Sequence, residues 1–412
     1  MPWKLIKQAL NGSKPLPRMW HERPIKDRYD VVIIGGGAHG LACAYYLIKD
    51  HGITDVAILE KSYIGAGGSG RNTTIIRSNY LTPEGVQFYD ESVKLYQQMS
   101  VDLDFNVMFS QRGHLTLAHT DGSVRTMRRR AEVNQIQGVD TRLIFPEEIK
   151  KIAPPLDVSD HPRFPILAAL YHPPGGVIRH DAVVWAYAHQ ADAGGAHIHQ
   201  GVRVNDIRVT DGKVEGVETT HGYIKAGAVL NATAGWCTTI ADMVGVRLPI
   251  TTFPLQASVT EALKPFLDTI VVSGSLHVYV SQTDRGELAM GAAVDPFAQY
   301  SMRGSLSYLE GIGAHMLELF PMLSQVRMLR QWAGLCDMTP DYSPIMGKTP
   351  VEGFYVDVGW GTYGFKASPI AGKTLAEAIA TRSTPHLIEP FRFSRFDEHK
   401  LVGEKGAASV GH

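Results

Sequence analysis

The amino-acid sequence predicts a mixed α/β and α+β fold with two domains. A chain of 412 residues is too long for one simple core. A β-branched apolar run at 29–34 leads directly into a glycine-rich turn and then an apolar stripe at helical spacing, which is typical of a β–α–β unit on a parallel sheet. Residues 274–293 alternate like two strands joined by a turn at 284–286, which indicates an antiparallel region as well.

Composition excludes several classes of protein. The chain has 40 Lys and Arg against 41 Asp and Glu, so no basic excess points to nucleic acid. No run of about 18 apolar residues exists, so we expect no membrane span. Cys43, Cys237 and Cys336 are far apart and form no C-x-x-C pair, so neither a disulfide framework nor a metal site is expected. This cysteine usage favours a reducing compartment and a cytoplasmic protein.

The first 28 residues form a basic N-terminal arm without an apolar core, so they are not a secretory signal. Two interpretations of the arm stay open. It is either a disordered tail or a segment that docks on a partner subunit.

The first strand, Tyr29–Ile34, runs into a G-x-G-x-x-G turn with glycines at 35, 37 and 40. Gly35 permits the tight turn, Gly37 lets the backbone approach a pyrophosphate, and Gly40 lets the helix pack closely on the strand. A second strand at 56–59 ends at Glu60, 20 residues after Gly40, where a carboxylate can accept hydrogen bonds from ribose hydroxyls. The complete order of strand, turn, helix, strand and acid predicts a dinucleotide site.

Three further segments favour FAD over a nicotinamide cofactor. A Gly/Ser loop at 65–70 follows Glu60, and a strand at 228–232 leads into Thr233–Trp236. A third turn, Gly359–Gly364, precedes Ser368 and Pro369, which we interpret as the N-cap and first residue of a helix that continues to Ala380. The positive end of that helix would stabilise the negative charge of a reduced flavin.

These motifs in this order resemble the D-amino-acid oxidase-like, or glycine oxidase-like, flavoprotein family. The resemblance covers nearly the whole chain from Asp30 and is closest to the β-subunit family of heterotetrameric sarcosine oxidases. The glycine motif is generic. The more specific strings are Arg71–Tyr80, Phe109–Gly113, Arg179–Asp181, Pro254–Ala257, Arg330–Trp332, Ser343–Ile345 and Gly359–Lys366.

The resemblance implies a discontinuous Rossmann-like FAD-binding domain and an antiparallel-sheet substrate domain that covers the flavin. The expected FAD-binding domain comprises 29–82, 177–248 and 330–390. The expected substrate domain comprises 83–176 and 249–329, and a C-terminal tail follows at 391–412.

The family also implies the site residues. Arg77 and Lys366 match positions that bind the substrate carboxylate in the related single-chain enzymes, and such cations would offset the cost of desolvating that carboxylate. The residues expected to contact FAD are Gly35, Gly36, Gly37, Gly40, Glu60, Lys61, Arg71, Thr73, Thr74, Ala234, Gly235, Gly359, Gly361, Gly364 and Lys366.

The sequence departs from the family pattern in three places. Gly334 stands where single-chain relatives attach FAD to a cysteine, so FAD is expected to be non-covalent and Cys336 to be a small buried hydrophobe. Ala289 stands where those relatives carry a lysine that promotes the reaction with O₂. Tyr363 stands where the heterotetrameric pattern has glycine, which leaves the exact substrate open.

The resemblance further implies a second flavin, FMN, covalently attached to His180. The string Arg179-His180-Asp181 fits the family's attachment motif, whereas Tyr171-His172-Pro173 does not. Partner subunits of the α, γ and δ type are expected from the same resemblance.

The expected function is oxidative demethylation of an N-methyl amino acid, most simply sarcosine, with electrons passed from FAD to FMN and then to O₂ or another acceptor. Two alternatives remain from the sequence. One is a single-flavin amine or imino-acid oxidase or dehydrogenase, such as one acting on N-methylglutamate or dimethylglycine. The other is a non-enzymatic dinucleotide-binding subunit.

Overall fold

The computed structural model describes residues 18–407, together with Trp3, Ile6, Ala9 and Leu10. Most of the expected N-terminal arm and residues 408–412 lie outside the described residues, so neither interpretation of the arm is tested. In the described part of the chain, no helix is both long enough and apolar enough to cross a membrane.

The strands form two large sheets and one small one. In chain order they are β1 Arg28–Ile34, β2 Val56–Glu60, β3 Ile75–Ile76, β4 Ser110–Gln111, β5 His114–Ala118, β6 Arg142–Ile144, β7 Ala168–His172, β8 Gly176–Val177, β9 His197–Gln200, β10 Val204–Thr210, β11 Lys213–Thr219, β12 Gly222–Asn231, β13 Thr251–Thr260, β14 Ile270–Ser273, β15 Val278–Gln282, β16 Leu288–Val294, β17 Met328–Met338, β18 Ile345–Lys348 and β19 Phe354–Val358.

The helices lie between these strands. They are α1 Ala38–His51, α2 Pro83–Asp102, α3 Asp121–Ile136, α4 Pro146–Ile152, α5 His180–Ala193, α6 Cys237–Asp242, α7 Leu306–Leu319 and α8 Gly364–Thr381. Short 3₁₀ turns occur at Gly68–Gly70, Ala234–Trp236, Pro321–Leu323, His386–Phe391, Phe393–Arg395 and Lys405–Ala407.

The first sheet has a parallel centre. β1 pairs in parallel with β2 and β12, β2 with β9, and β12 with β19, whereas β10, β11 and β18 add antiparallel strands at the margins. Apolar clusters cover both faces of the sheet, one with α1, α5 and α8 and the other with α6. Cover on both faces explains why β1 is a continuous apolar run rather than an alternating one.

The second sheet is largely antiparallel, in the order β17-β13-β16-β15-β14-β5-β7-β6. The strands predicted within 274–293 are β15 and β16, joined by a turn that contains residues 284–286, as expected. Side chains on one face of this sheet pack against α7, and the strands β13–β15 and β17 bring residues of the opposite face to the cavity described below.

The domain boundaries expected at 83 and 330 differ from the packing. α2 places Phe88, Val93 and Tyr96 in the same apolar cluster as α1 and α8, so this helix belongs with the parallel sheet. β17 pairs along its length with β13, so residues 330–338 belong to the antiparallel sheet. Both boundaries fall where the chain crosses from one large sheet to the other. Local sequence patterns do not reveal such crossings.

Part of the segment expected as a C-terminal tail packs against the apolar clusters that cover the first sheet. Arg395 is fully buried, and its guanidinium donates to both carboxylate oxygens of Asp341, at 2.8 and 2.9 Å. The Glu404 carboxylate accepts hydrogen bonds from the backbone N–H groups of Leu81 and Thr82, at 3.0 and 2.9 Å. These contacts fix the start of α2.

The expected start of the last helix is wrong. α8 begins at Gly364, not at Pro369, which lies inside the helix. A proline cannot donate to the carbonyl four residues earlier, which normally breaks a helix. Here the Tyr96 hydroxyl donates to the Phe365 carbonyl instead, at 2.6 Å, so α2 supplies the missing donor. The expected end near Ala380 is correct to within one residue.

Candidate active site

The glycine turn between β1 and α1 has no room for side chains at two positions. Gly35 has φ +116°, and a Cβ there would lie 2.4 Å from the Ala232 carbonyl oxygen. A Cβ on Gly40 would lie 2.2 Å from the Gly35 carbonyl oxygen. A Cβ on Gly37 would meet only the Ser69 hydroxyl, at 3.1 Å, so its open side faces the cavity. Helix α1 directs its N-terminus to that space, which favours an anion.

Glu60 is held in place by two backbone donors. Its carboxylate oxygens accept from the N–H groups of Gly36, at 3.0 Å, and Ser62, at 2.8 Å. Ser69, in the Gly/Ser loop, accepts a hydrogen bond from the Ala38 N–H at 2.9 Å. The Gly/Ser loop therefore closes over the glycine turn, and Glu60 is held beside the same turn.

A cavity of about 620 Å³ extends from this turn to the N-terminus of α8. Its volume lies within the range of pockets that take small molecules and cofactors. The site residues predicted from the sequence that line it are Gly35, Gly37, Glu60, Lys61, Arg71, Thr73, Thr74, Arg77, Ala234, Gly361, Gly364 and Lys366.

Four predicted glycines lie behind the cavity wall rather than on it. The Gly36 N–H holds Glu60, and Gly40 packs on Gly35, as described. A Cβ on Gly235 would lie 2.5 Å from the Leu335 Cβ, so this glycine lets the first sheet approach β17. Gly359 has φ +76° and donates from its N–H to the Asp337 carboxylate at 2.6 Å. These four glycines shape the cavity without lining it.

Arg77 and Lys366 come from distant parts of the chain and line the same cavity, where both lie near the ring of Tyr363. Arg77 is 5% exposed and donates to the Asn79 carbonyl and side-chain oxygens, at 3.1 and 2.9 Å. Lys366 is 8% exposed, and its Nζ donates to the Thr362 carbonyl at 3.2 Å. Within residues 18–407, Lys366 forms no salt bridge.

Burial and the neighbouring Arg77 cation hold the pKa of Lys366 well below its usual range. Two buried cations side by side repel each other and lack the water that would solvate them. An anion bound between them would relieve both penalties. The chemistry of this part of the cavity therefore suits a carboxylate or a similar anion.

Tyr363 lies against both cations. Its ring centroid is 5.6 Å from Lys366 Nζ and 6.0 Å from the Arg77 guanidinium carbon. The ring is buried, and its hydroxyl donates to the Glu404 carbonyl at 2.9 Å. Tyr363, which departs from the family pattern, therefore lies beside Arg77 and Lys366.

His39 lies inside the glycine motif and lines the cavity, although no pattern in the sequence singles it out. Its Nε2 lies 2.8 Å from the Gly364 carbonyl, and its Nδ1 lies 3.0 and 3.2 Å from the two Asp357 oxygens. Both ring nitrogens face acceptors, an arrangement that favours the protonated imidazolium. Burial disfavours that charge, but Asp357 and the Gly364 carbonyl together outweigh burial and raise the pKa of His39. Trp360 donates to the same carboxylate at 2.7 Å.

Two neutral histidines lie near Arg77. His114 lines the cavity, and burial and the Arg77 charge lower its pKa well below the usual value. His172 is fully buried, and burial lowers its pKa to about 3. Its Nδ1 donates to the Asp140 carbonyl at 2.9 Å, and its Nε2 accepts from the Ser78 N–H at 3.3 Å. His172 thereby anchors the backbone next to Arg77.

His180 is the first residue of α5 and, within the described residues, does not line the cavity. It is half-buried, and burial lowers its pKa, which keeps the imidazole neutral at pH 7. Arg179 and Asp181 on either side of it form an ion pair with Nε to Oδ1 at 3.0 Å. One turn later, Val184 packs against the loop that borders the cavity, where a Cβ added to Gly65 would lie 3.4 Å from the valine side chain.

Of the two other departures from the family pattern, Gly334 lies on the cavity wall and Ala289 does not. Gly334 and Cys336 line the cavity, and Cys336 is a free, buried thiol whose pKa is raised by burial. Ala289 pairs with Ser281 and Val259 in the antiparallel sheet but does not line the cavity of the described chain.

Comparison with known proteins identifies the class. A family model described as FAD dependent oxidoreductase (DAO) matches residues 30–378. The chain therefore belongs to the FAD-dependent oxidoreductase family, as the fold and the glycine cradle also indicate.

Individual relatives describe the class of this chain more precisely. The chain is 46% identical over 394 residues to sarcosine oxidase subunit beta of an Arthrobacter species, covering 96% of this chain and 97% of that protein. It is 45% identical over 408 residues to sarcosine oxidase subunit beta of Rhodobacter capsulatus, covering 99% and 98%. Human mitochondrial dimethylglycine dehydrogenase is 28% identical over 427 residues, which cover 96% of this chain and 48% of that protein.

Among solved structures, L-proline dehydrogenase from P. horikoshii superposes with a TM-score of 0.86 at 30% identity, covering 92% of this chain and 100% of that one. The chain is thus similar to the β subunits of sarcosine oxidases in sequence and to amine-oxidising flavoenzymes in structure. It is an FAD-dependent oxidoreductase.

The residues present fit FAD. The side-chain-free faces of Gly35 and Gly37 at the N-terminus of α1 suit a pyrophosphate, and Glu60 suits a ribose. The N-terminus of α8 suits the electron-rich end of the ring system.

Proposed function

We propose that this chain binds FAD without a covalent bond and oxidises a small N-methyl amino acid, sarcosine in the first instance. The carrying observation is that Arg77 and Lys366, both buried, line the same cavity as the glycine turn and Glu60. A site with an FAD cradle at one end and two buried cations at the other suits an amine that carries a carboxylate.

When bound, FAD supplies the acceptor for a hydride from a carbon next to the amine. The chain's own residues do the rest. Arg77 can grip a carboxylate with several donors, and Lys366 adds a point charge. Fixing the carboxylate fixes the position of the amine, and such positioning is where most of the rate would arise.

The walls of the cavity keep water away from this contact. Tyr363 and His114 border the cations, and both are buried. Because His114 is held neutral, it adds no third cation to the carboxylate site. The exclusion of water strengthens each charge-assisted hydrogen bond.

The chemistry of position 334 and Cys336 supports non-covalent FAD. Gly334 has no side chain to offer, and the raised pKa of Cys336 leaves it as a protonated thiol. A thiol in that state is a poor nucleophile.

We further propose that His180 carries FMN through a ring nitrogen. Two observations support His180 over His172. His180 is half-buried and neutral at a helix start near the cavity loop, whereas His172 is fully buried with both ring nitrogens in hydrogen bonds. A neutral imidazole is a competent nucleophile.

A second flavin at His180 would accept the electrons from the reduced FAD. Ala289 offers no positive charge to promote the reaction of FAD with O₂, so transfer to FMN and then to O₂ or another acceptor is the proposed route. Relatives named as subunits support the proposal that the chain works in a complex. The partner subunits that we propose are of the α, γ and δ type.

The test is anaerobic reduction of the bound FAD by sarcosine, followed by absorbance. Lys366→Ala and Arg77→Ala should each weaken the apparent affinity about 10- to 100-fold, because each removes charge-assisted bonds of about 1.5–3 kcal/mol. Lys373→Ala is the matched control, since this lysine is exposed on the same helix. Unchanged affinity in both cavity variants would contradict the carboxylate assignment. No bleaching by any N-methyl amino acid would contradict the function.

An alternative substrate follows from the structural comparison. The similarity to L-proline dehydrogenase favours a cyclic imino acid as the second candidate. Bleaching by L-proline but not by sarcosine in the same assay would select it.

A further inference from the structure

The ring of Tyr363 occupies the space beside the two cations. Its centroid lies 5.6 Å from Lys366 Nζ and 6.0 Å from the Arg77 guanidinium carbon. A carboxylate that binds both cations must lie between their heads, within about 3 Å of each. The ring therefore flanks the carboxylate position, and the carbon attached to the carboxylate is within reach of the ring.

The ring cannot swing aside. The hydroxyl is fixed at 2.9 Å to the Glu404 carbonyl, and Tyr80 packs edge-on against the ring with centroids 5.3 Å apart. Glu404 is itself fixed, because its carboxylate accepts from the backbone of Leu81 and Thr82. Tyr363 is 3% exposed, so its side chain is packed on nearly all sides.

The ring also suits the cations electrostatically. Aromatic faces attract cations within about 6 Å of the ring centroid. Tyr363 meets this distance for Lys366 and for Arg77, so it helps hold the two heads in place while it limits what fits beside them.

From this geometry we propose that Tyr363 determines substrate specificity, by limiting the substituent on the carbon next to the carboxylate. The proposal rests on the proposed function, because it assumes that the substrate carboxylate lies between Arg77 and Lys366. It admits sarcosine, which has two hydrogens on that carbon. It disfavours N-methylalanine, which has a methyl group there.

The test uses the FAD-loaded protein as purified and measures anaerobic FAD reduction by sarcosine and by N-methyl-L-alanine. The quantity is the ratio of the two second-order rate constants of reduction. Tyr363→Ala and Tyr363→Leu should raise the N-methylalanine to sarcosine ratio about tenfold or more, since one methyl group in a fitted pocket is worth about 10- to 200-fold. Tyr363→Phe keeps the wall, so its ratio should stay within about threefold of the native ratio.

A Tyr363→Leu variant that binds FAD but keeps the native ratio would overturn the proposal. So would loss of FAD from both shortened variants, because a substrate wall can be removed without emptying the cofactor site. If neither these two substrates nor any other N-methyl amino acid reduces the native protein, the proposed function fails. A native preference for sarcosine with an unchanged ratio in the variants refutes the role of Tyr363 alone.

Discussion

His39 and Asp357 form a buried ion pair that ties the first glycine turn to the end of β19. The same imidazole reaches the Gly364 carbonyl at the start of α8. One side chain thus links the glycine turn to the end of β19 and to the start of the helix that carries Lys366, across 318 residues of sequence.

Replacing His39 by Gln should destabilise the fold by about 3–5 kcal/mol, because Asp357 would remain buried without a counter-charge. The folded pKa of His39 is raised above its unfolded value. Its stabilising contribution is therefore full below the unfolded pKa of about 6.5 and is lost as pH rises through the folded pKa. Urea unfolding of the native chain and the variant should show a gap that is largest at pH 6 and narrows in alkali.

The exposed His161 gives the control, because His161→Gln removes a histidine whose side chain is 89% exposed. A gap for His39→Gln that stays constant from pH 6 to alkali would show that the pair is not ionic.

Gly37→Val should abolish FAD retention while the fold survives. A Cβ at 37 meets only the Ser69 hydroxyl, but a larger side chain enters the space assigned to the pyrophosphate. The measurement is the flavin-to-protein absorbance ratio after gel filtration, and acid precipitation of the native protein should release its FAD into the supernatant. Gly313→Val, at an exposed helical position with nothing within 4 Å of a Cβ, should keep its FAD. Full FAD content in Gly37→Val would show that this turn is not the pyrophosphate site.

Binding of a simple carboxylate should weaken as pH rises. The pKa of Lys366 is depressed by burial and by Arg77, and only its protonated form attracts an anion. Acetate stays ionised well above its own pKa, so between about pH 6 and 9 the change in affinity reports the protein. Acetate titrations followed by the FAD spectrum should show a falling affinity in the native protein and a flatter pH profile in Lys366→Met. Identical pH profiles for the two proteins would place the titrating group elsewhere.

The FMN assignment can be resolved by tryptic mapping. Cleavage after Arg179 separates the peptide Phe164–Arg179, which contains His172, from His180–Arg203. The second peptide should carry the mass of one FMN, and fragmentation should place it on His180 rather than on His189, His197 or His199. His180→Ala should lose the label while FAD reduction by substrate continues. An unlabelled His180 peptide from an active complex, or a label on the first peptide, would show that the assignment is wrong.

The geometry of the glycine turn could be predicted from the sequence because its causes are local. The positive φ of Gly35 and the close approach at Gly40 leave no room for other residues, and the period of the apolar residues identifies the flanking strand and helix. Glu60 follows directly from the end of β2. Arg77 and Lys366 lie far apart in the chain, so only the family resemblance could assign them to one site.

Features that depend on distant partners were missed. The predicted start of α8 is five residues too late, because the hydroxyl that replaces the donor lost at Pro369 belongs to Tyr96 on another helix. The role of His39 depends on Asp357, and nothing near either residue in the sequence points to the other. The boundary expected at 330 differs from the packing for the same reason, since the partner of β17 is β13.

The Glu404 contacts also bear on the order of events during protein synthesis. Domains generally fold as they emerge from the ribosome, starting with the N-terminal part. Residues 395–407, however, supply the carbonyl that holds Tyr363 and the carboxylate that holds the start of α2. Both contacts are therefore completed only after both sheets have been made. The glycine turn also depends on later residues, because Gly35 packs against the Ala232 carbonyl and His39 pairs with Asp357. A nascent chain that lacks Glu404 would lack the contacts that hold Tyr363 beside Arg77 and Lys366.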